Sequence, residues 1–455
     1  MTRRLTLPVL YGLFAVTALT LAAFPVVNHF RQPAGSAADY ELWATGAHTL
    51  NKDYPLWYAT GQRVVNGDPL YPTQPGVPFP FMYPPFAGVC LAGLSLLGPT
   101  GMLFALVIGN VLSWWLAIEL SLRLTAGTGR VNPWVRIVPG AVCVFFVYDM
   151  FLLGQPNLFL LAVVLGGFLA LRHRREWAAG GLFAVATAVK AFPAVILVYL
   201  LWRRHWAAAA AMVVGTAALL VLAPAPVRGF DRNLSELKTW ANGMLFPNGD
   251  RGFGQRPEQS RGWRNQSLLG VGTRLVRPIN AHADEFDKLN PRPPLYVNVV
   301  ELDERTATAV VAGACALLGL LFVAVLPRRA ARTPETDAAE FAVLTILVVV
   351  GTPYAFGYYF VWLLFPVTVL VWHAVENPDR PARRVSWLTL AVGCVLLVIG
   401  SPVGGRVGAS VGGLLWGSLV IAGGLGWHLW RAGRGSAAAM SLPPSHRNEV
   451  TRLAA

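Results

Sequence analysis

Hydrophobic residues fall along this chain in long runs, and the polar and charged residues gather in short clusters between them. A helix rising about 1.5 Å per residue needs about 20 apolar residues to cross the hydrocarbon core of a bilayer. Runs over residues 5–27, 101–124, 137–153, 157–171, 207–223, 306–326, 341–351, 360–374, 385–399 and 411–430 each predict a spanning helix. The run over residues 178–202 has RHRRE before it and WRRHW after it. Basic residues flanking a span stay in the cytoplasm, so both ends of this run belong on one side. It therefore predicts two short helices meeting near Lys190 at the outer side, with Pro193 breaking the ladder. The run over residues 83–97 is too short to span easily, and it predicts a segment that lies at the outer interface or re-enters. With that placement the basic clusters at residues 123–136, 172–175, 203–204, 328–332, 380–384 and 431–434 all fall inside, together with both termini.

The expected fold is an all-α polytopic membrane bundle of about twelve spanning helices with two large external loops. Residues 1–223 form an N-terminal membrane module that includes the first external loop, residues 28–100. Residues 224–305 form a second external loop, rich in Pro, Asn, Gly and charge. Residues 306–430 form a C-terminal membrane module, and residues 431–455 a polar tail expected to be disordered in the cytoplasm.

Hydrophobic residues make up 55% of the chain and charged residues only 13%, against about 25% charged in a soluble domain. That balance excludes an ordinary soluble enzyme and a disordered chain. The net charge of +14 sits in the clusters between apolar runs, so it reads as topology and not as a nucleic-acid surface. Arg carries it, because only Lys52, Lys190, Lys238 and Lys288 are lysines. Low Lys with abundant Arg, Ala and Gly suggests a bacterial coding sequence rich in G and C, and hence a bacterial plasma membrane. Cys90, Cys143, Cys315 and Cys394 lie in apolar stretches with no metal or redox spacing, and read as small packed hydrophobes. No dinucleotide, Walker, HExxH or nucleophile-elbow pattern stands in a usable context. A donor substrate should then be reached from the membrane, which favours a lipid carrier.

Candidate chemistry lies at the outer ends of the helices. The first loop holds Asp39, Glu41, Asp53 and Asp68 among aromatic residues, where a carboxylate suits a general base acting on a hydroxyl. Asp68, in NGDP, reads as a turn residue. Asp149 sits in or near the end of an apolar run, as a functional group or as a packed structural carboxylate. Gln155 and Asn157 flank Pro156 at a turn, where neutral amides bind sugar hydroxyls or satisfy free backbone groups. Lys190 is an expensive residue to bury, and a phosphate is a natural partner for it. In RGWRNQSLL, Arg261 and Arg264 stand beside Asn265, Gln266 and Ser267, a set suited to a phosphate or a sugar. Asn265 with Ser267, and Asn233 with Ser235, also fit the glycosylation acceptor pattern. Tyr354, Tyr358, Tyr359 and Trp362 stack on a sugar face or form an interfacial aromatic belt.

The ordered set DYPLWYATGQRVVNGDPLY, MYPP, GQPN, AGGLFAVATAVKAFP and NQSL resembles glycosyltransferase family 87 of the GT-C superfamily. The likeness runs over roughly residues 40–370, and its specificity lies in the order and spacing of the pieces. It implies a polyprenyl-phosphate-linked hexose donor, typically mannose, and a catalytic acid in the first external loop. Asp53 matches that acid, followed by Tyr58, Gly67 and Tyr71. Gln155 and Asn157 match the family's GQxN element, Lys190 its lysine before proline, and Asn265 and Ser267 its NxS element. Where the family carries a histidine pair, this chain has Tyr358 and Tyr359. A tyrosine hydrogen-bonds but stays neutral at pH 7, which bears on how donor phosphate is held there.

The resulting expectation is a membrane hexosyltransferase acting by direct displacement, with inversion, at the external face. Asp53 is the base; Lys190, Arg264 and Arg261 hold the donor phosphate. Tyr58, Gln155, Asn157, Asn265, Ser267, Tyr358 and Tyr359 contact sugar or acceptor, and Asp39 and Asp149 are reserve acids. The partners are the lipid-linked donor, a glycolipid or glycan acceptor and the bilayer, with no nucleic acid, and no metal or other cofactor is required. A transporter or flippase for a lipid-linked or polar solute, and an inactive GT-C relative, are the competing readings.

Overall fold

The computed structural model describes residues 7–31, 53–72, 79–127, 129, 131–246, 260–283 and 292–440. Among these the regular structure is helical. Seven helices are long and apolar enough to cross a membrane: Leu7–Arg31, Gly98–Ala126, Trp134–Leu153, Trp206–Arg228, Glu304–Val325, Gly357–Glu376 and Arg380–Gly400. Pro402–Ser410 and Gly413–Arg434 meet at 88° and make an eighth span if counted together. Twelve crossings were expected. The difference lies in short elements: Asn157–Arg172, Glu176–Val189 and Phe192–Trp202 are apolar but brief, and Pro85–Ser95, expected not to span, is brief as well. Pro334–Val350 has only 17 residues and carries Glu335, Asp337 and Glu340 in its first half. The run over residues 178–202 is indeed broken, since Lys190 leaves the helix in an extended conformation and a 3-10 turn follows over Phe192–Val195. The last helix continues through residue 431 to Met440, where a disordered tail was expected.

Burial ranks the helices. Gly357–Glu376 is 83% buried and forms the axis of the bundle, whereas Glu304–Val325 is 6% buried and Leu7–Arg31 17%. The outer helices turn apolar side chains such as Leu317, Leu320 and Leu19 outward, as a lipid solvent requires. Lipid tails are as apolar as leucine, so packing must come from close approach. A Cβ on Gly180 would lie 2.2 Å from the Ala208 carbonyl oxygen, and one on Gly400 2.2 Å from the Leu414 nitrogen. These two glycines let their helices touch backbone to backbone.

Several buried charged groups of the bundle are paired. Glu340, fully buried, accepts from Arg203 through both oxygens and from the Tyr199 hydroxyl at 2.6 Å, while Arg203 also donates to the Pro327 carbonyl at 3.0 Å. Arg172 donates to the Leu124 carbonyl at 2.6 Å, Arg332 to Asp337 at 2.6 Å, and Arg431 to Asp379. Arg172 and Arg203 close their helices, Arg332 precedes the Pro334–Val350 helix, and Arg431 lies in the last turns of the bundle before Met440. The helices that begin or finish at these basic clusters have Asp149, Gln155, Lys190, Gly351, Tyr358 and Ser401 at or near their other ends.

A second core caps that other end. Trp57, Tyr71, Phe79, Phe81, Tyr83 and Trp240 pack together and join Tyr54–Val65 and Pro85–Ser95 to the Phe230–Met244 helix. Arg228 pairs with Glu236 and donates to the Asp68 carbonyl at 2.7 Å, and Glu236 accepts from the Leu70 amide at 3.0 Å. The described parts of the two expected external loops thus form one cap. Asn265 clips a later stretch of it. Its amide nitrogen donates to the Ser260 and Pro353 carbonyls, both at 2.7 Å, and its oxygen accepts from Ala355 at 2.9 Å and Ser267 at 3.1 Å. Ser267 caps the Leu268–Val276 helix by accepting from the Gly270 amide at 2.9 Å. Arg274, buried, donates to the carbonyls of Arg261, Gly262, Asn265 and Ser410, and burial lowers its pKa to about 9.

Gly154 closes the Trp134–Leu153 helix at φ 68°, and a Cβ there would lie 2.8 Å from the Tyr54 ring. Gly154→Ala is expected to destabilise by more than the ~1–2 kcal/mol of a left-handed residue, read as a lowered unfolding midpoint in detergent. Glu340→Ala strands the Arg203 guanidinium and should cost about 3–5 kcal/mol. Adding Arg203→Met to Glu340→Ala should recover part of that loss in the same measurement.

Candidate active site

Asp53 occupies the N-cap of the Tyr54–Val65 helix, with Pro in the first turn as helix starts prefer. Its backbone carbonyl accepts from the Trp57 amide at 2.8 Å, but its side chain makes no capping bond. The carboxylate turns instead to Gln155, whose Nε2 donates to Oδ2 at 2.5 Å. Two bonds set the helix against the turn that carries Gln155. The Tyr54 hydroxyl donates to the Phe151 carbonyl and the Trp57 indole to the Gly154 carbonyl, both at 2.9 Å.

Gln155 sits at the hub. Its Oε1 accepts from the Tyr83 hydroxyl at 2.5 Å and from the Lys190 ammonium at 3.5 Å. Lys190 donates more closely to Asn157 Oδ1, at 3.1 Å. Asn157 in turn holds the axial helix, donating to the Tyr358 carbonyl at 3.4 Å and accepting from the Trp362 indole at 3.0 Å. Four rings surround the Lys190 Nζ, with centroids at 4.1 Å for Tyr359, 5.0 Å for Tyr83, 5.1 Å for Tyr358 and 5.9 Å for Phe192. Ring faces attract a cation, so Tyr358 and Tyr359 support Lys190 without carrying charge. Burial pushes the Lys190 ammonium toward losing its proton, and the Asp53 carboxylate opposes that. Burial also raises the Tyr83 pKa well above its ordinary value, with Tyr359 and Asp53 adding to the effect, so its hydroxyl stays a donor.

These groups line a cavity of about 530 Å3, within the range of ligand pockets. Asp149 lines it too, and a Cβ on Gly357 would stand 3.3 Å from its Oδ2. Apolar side chains such as Phe145, Phe146, Leu153 and Leu414 form the bundle side of the wall. Trp263 and Arg264 form another part of it, and the guanidinium carbons of Arg264 and Arg406 lie 5.2 and 4.9 Å from the Trp263 ring centroid. Asp53, Gln155, Lys190, Tyr358, Tyr359 and Arg264 therefore come together from distant segments.

Other expected residues stand elsewhere. Arg261 is turned toward Glu304, 3.5 Å away, and is absent from the cavity wall. Tyr58 packs against the aromatic cap, because Trp57 takes the cavity-facing position. Asn265 and Ser267 spend their polar atoms on the fold, and Asn157 reaches the site only through Lys190. Asn233 is fully buried, donating to the Leu220 and Val221 carbonyls. Asp39 lies outside the described residues. Trp57, Tyr83 and Trp263 were not singled out as site residues. Trp57 follows Asp53 by four residues, the spacing that stacks side chains on one helix face.

The family model of glycosyltransferase family 87 matches residues 81–353. The chain is 32% identical over 179 residues to the polyprenol-phosphate-mannose-dependent alpha-(1-2)-phosphatidylinositol pentamannoside mannosyltransferase of Mycobacterium tuberculosis, covering 39% of this chain and 38% of that one. To the Mycolicibacterium smegmatis protein of the same name it is 30% identical, over 38% of this chain and 39% of the relative. A second Mycolicibacterium smegmatis protein, a polyprenol-phosphate-mannose-dependent alpha-(1-2)-phosphatidylinositol mannoside mannosyltransferase, is 24% identical over 77% of this chain and 75% of its own length. The chain thus spans about two fifths of the length of the first two relatives. No solved structure matches it. With the family match running over more than half of its residues, the chain belongs to glycosyltransferase family 87.

Proposed function

We propose that this protein transfers mannose from a polyprenyl-phosphate carrier to a hydroxyl of a phosphatidylinositol-mannoside-type glycolipid. The observation that carries the reading is one cavity in which Asp53 and Lys190 stand on either side of Gln155, at the ends of lipid-embedded helices. The relatives are named for that donor and for phosphatidylinositol mannosides as acceptor.

The chemistry is a single displacement. The acceptor hydroxyl oxygen attacks the anomeric carbon and forms the new glycosidic bond, while its proton passes to Asp53. The bond from that carbon to the phosphate oxygen breaks, and its electron pair leaves with polyprenyl phosphate. Lys190 and Arg264 meet the charge that builds on the departing phosphate. That charge also favours the protonated state of Lys190, against the effect of burial. Attack opposite the leaving group inverts the anomeric centre. The apolar wall gives the carrier lipid a path from the bilayer to the site.

The distribution of charge supports an external site. The arginine clusters gather at one set of helix ends and the cavity at the other, and positive residues mark the cytoplasmic side. A transporter would place its polar groups near the bilayer midplane. Here they gather at one end of the bundle, which favours the enzyme.

The test is transfer from synthetic polyprenyl-phosphate-mannose to a panel of phosphatidylinositol mannosides by purified protein. Asp53→Asn is expected to lower kcat by about 10²–10⁴-fold with an unchanged unfolding midpoint. Equal rates would move the base elsewhere, with Asp149 the next carboxylate on the wall. Lys190→Met should lower kcat by about 10²–10³-fold, whereas a lysine that serves only packing would leave kcat intact in the folded variant.

A further inference from the structure

We infer that Gln155 is a positioning residue that holds the Asp53 carboxylate in its working orientation, and that Tyr83 in turn steadies the Gln155 amide. The inference deepens the function above and rests on Asp53 as the base. An amide has a donor end and an acceptor end, and the two are exchanged by a flip. Here the flip is decided by the neighbours. The Asp53 carboxylate can only accept, and Lys190 Nζ lies 3.5 Å from Oε1. The Tyr83 hydroxyl lies 2.5 Å from the same oxygen. The NH2 end is then left facing Asp53 Oδ2 at 2.5 Å. The flipped amide would set its oxygen against the carboxylate, a repulsive contact in place of an attractive one.

The surroundings keep the amide where it is. Gln155 is only 4% exposed. It is held between Gly154, which is left-handed, and Pro156, whose ring restricts its own backbone and that of Gln155 before it. Tyr83 is fixed in turn. Its carbonyl accepts from the Tyr71 hydroxyl at 2.6 Å, and its ring meets Trp57 edge-on at 5.1 Å. Trp57 donates to the Gly154 carbonyl, so a closed circuit runs from the Asp53 helix through Tyr83 and Gln155 back to Asp53. The bond from Gln155 sets the plane and reach of the carboxylate, which proton acceptance from an attacking hydroxyl needs. The amide then serves the carboxylate, beside the sugar contact its sequence context suggests.

The experiment measures kcat and KM separately, for donor and acceptor, using the acceptor that wild type prefers. Wild type, Asp53→Asn, Gln155→Met, Tyr83→Phe and the Gln155→Met/Tyr83→Phe double variant run side by side, each with its unfolding midpoint. The expected result for Gln155→Met is a kcat lowered about 10–100-fold with both KM values within about twofold of wild type. Tyr83→Phe, which keeps the ring and hence the packing, should lower kcat about 3–10-fold alone and cost nothing further on the Gln155→Met background. A raised KM with unchanged kcat for Gln155→Met would mark a substrate-binding amide and overturn the proposal. An equal cost of Tyr83→Phe on both backgrounds would separate Tyr83 from Gln155 and overturn it too. If Asp53→Asn is inactive while Gln155→Met and Tyr83→Phe match wild type, the base assignment stands and the positioning role alone falls. If Asp53→Asn retains transfer, the base assignment falls and takes the positioning role with it. Should Gln155→Met lower the midpoint, Tyr83→Phe in the Gln155 background carries the comparison by itself.

Discussion

Keeping a buried ammonium and a nearby carboxylate from meeting directly is the constraint on which the rest of the site depends. Lys190 and Asp53 are linked through a single amide, that of Gln155. A direct ion pair between them would tie each to the other. The amide spacer satisfies both without joining them. The remaining demand of the ammonium is met by Asn157 and by three tyrosine faces, neutral groups that stabilise charge without cancelling it. Three local irregularities of the backbone meet here: the left-handed Gly154, the helix break at Lys190 and the 3-10 entry of the axial helix over Gly357–Leu363.

That hub also explains the division of labour across the bundle. The helix ends that carry arginine are tied by ion pairs and carbonyl bonds, as at Arg203 with Glu340 and Arg172 with Leu124. The opposite ends are left shorter, broken or bent, and the aromatic cap closes over them. Irregular backbone at membrane depth needs protein or a polar cavity around it, and the cap and the cavity provide both. Buried polar residues behind the wall, Asn265 and Arg274 above all, hold loops to one another through carbonyl oxygens and leave the charged wall to Asp53, Asp149, Lys190 and Arg264.

Much of this was legible in the residues. The apolar runs predicted spans close to the helices observed, because length and hydrophobicity are local properties that a bilayer reads directly. The RHRRE and WRRHW flanks forced the break near Lys190, since one straight helix cannot put both its ends on the same side. The count of crossings was less legible. Asn157–Arg172 and Pro334–Val350 are apolar enough to suggest spans, but their length falls short, and burial inside the bundle leaves the same composition as burial in lipid.

The sequence by itself determined the class of molecule, the basic side of the bundle and several of the segments that line the cavity. All three follow from composition and from the order of short motifs along the chain. Only the tertiary structure decided which side chains in those segments face the cavity. Trp57 lines it and Tyr58 does not; Arg264 lines it while Arg261 turns to Glu304; Asn265 clips a loop. The physical reason is that an amide, a hydroxyl or a guanidinium can serve backbone, substrate or a neighbouring charge with the same atoms. The choice belongs to whatever stands opposite. For Gln155 that means Tyr83, Lys190 and Asp53, which come from three other stretches of the chain.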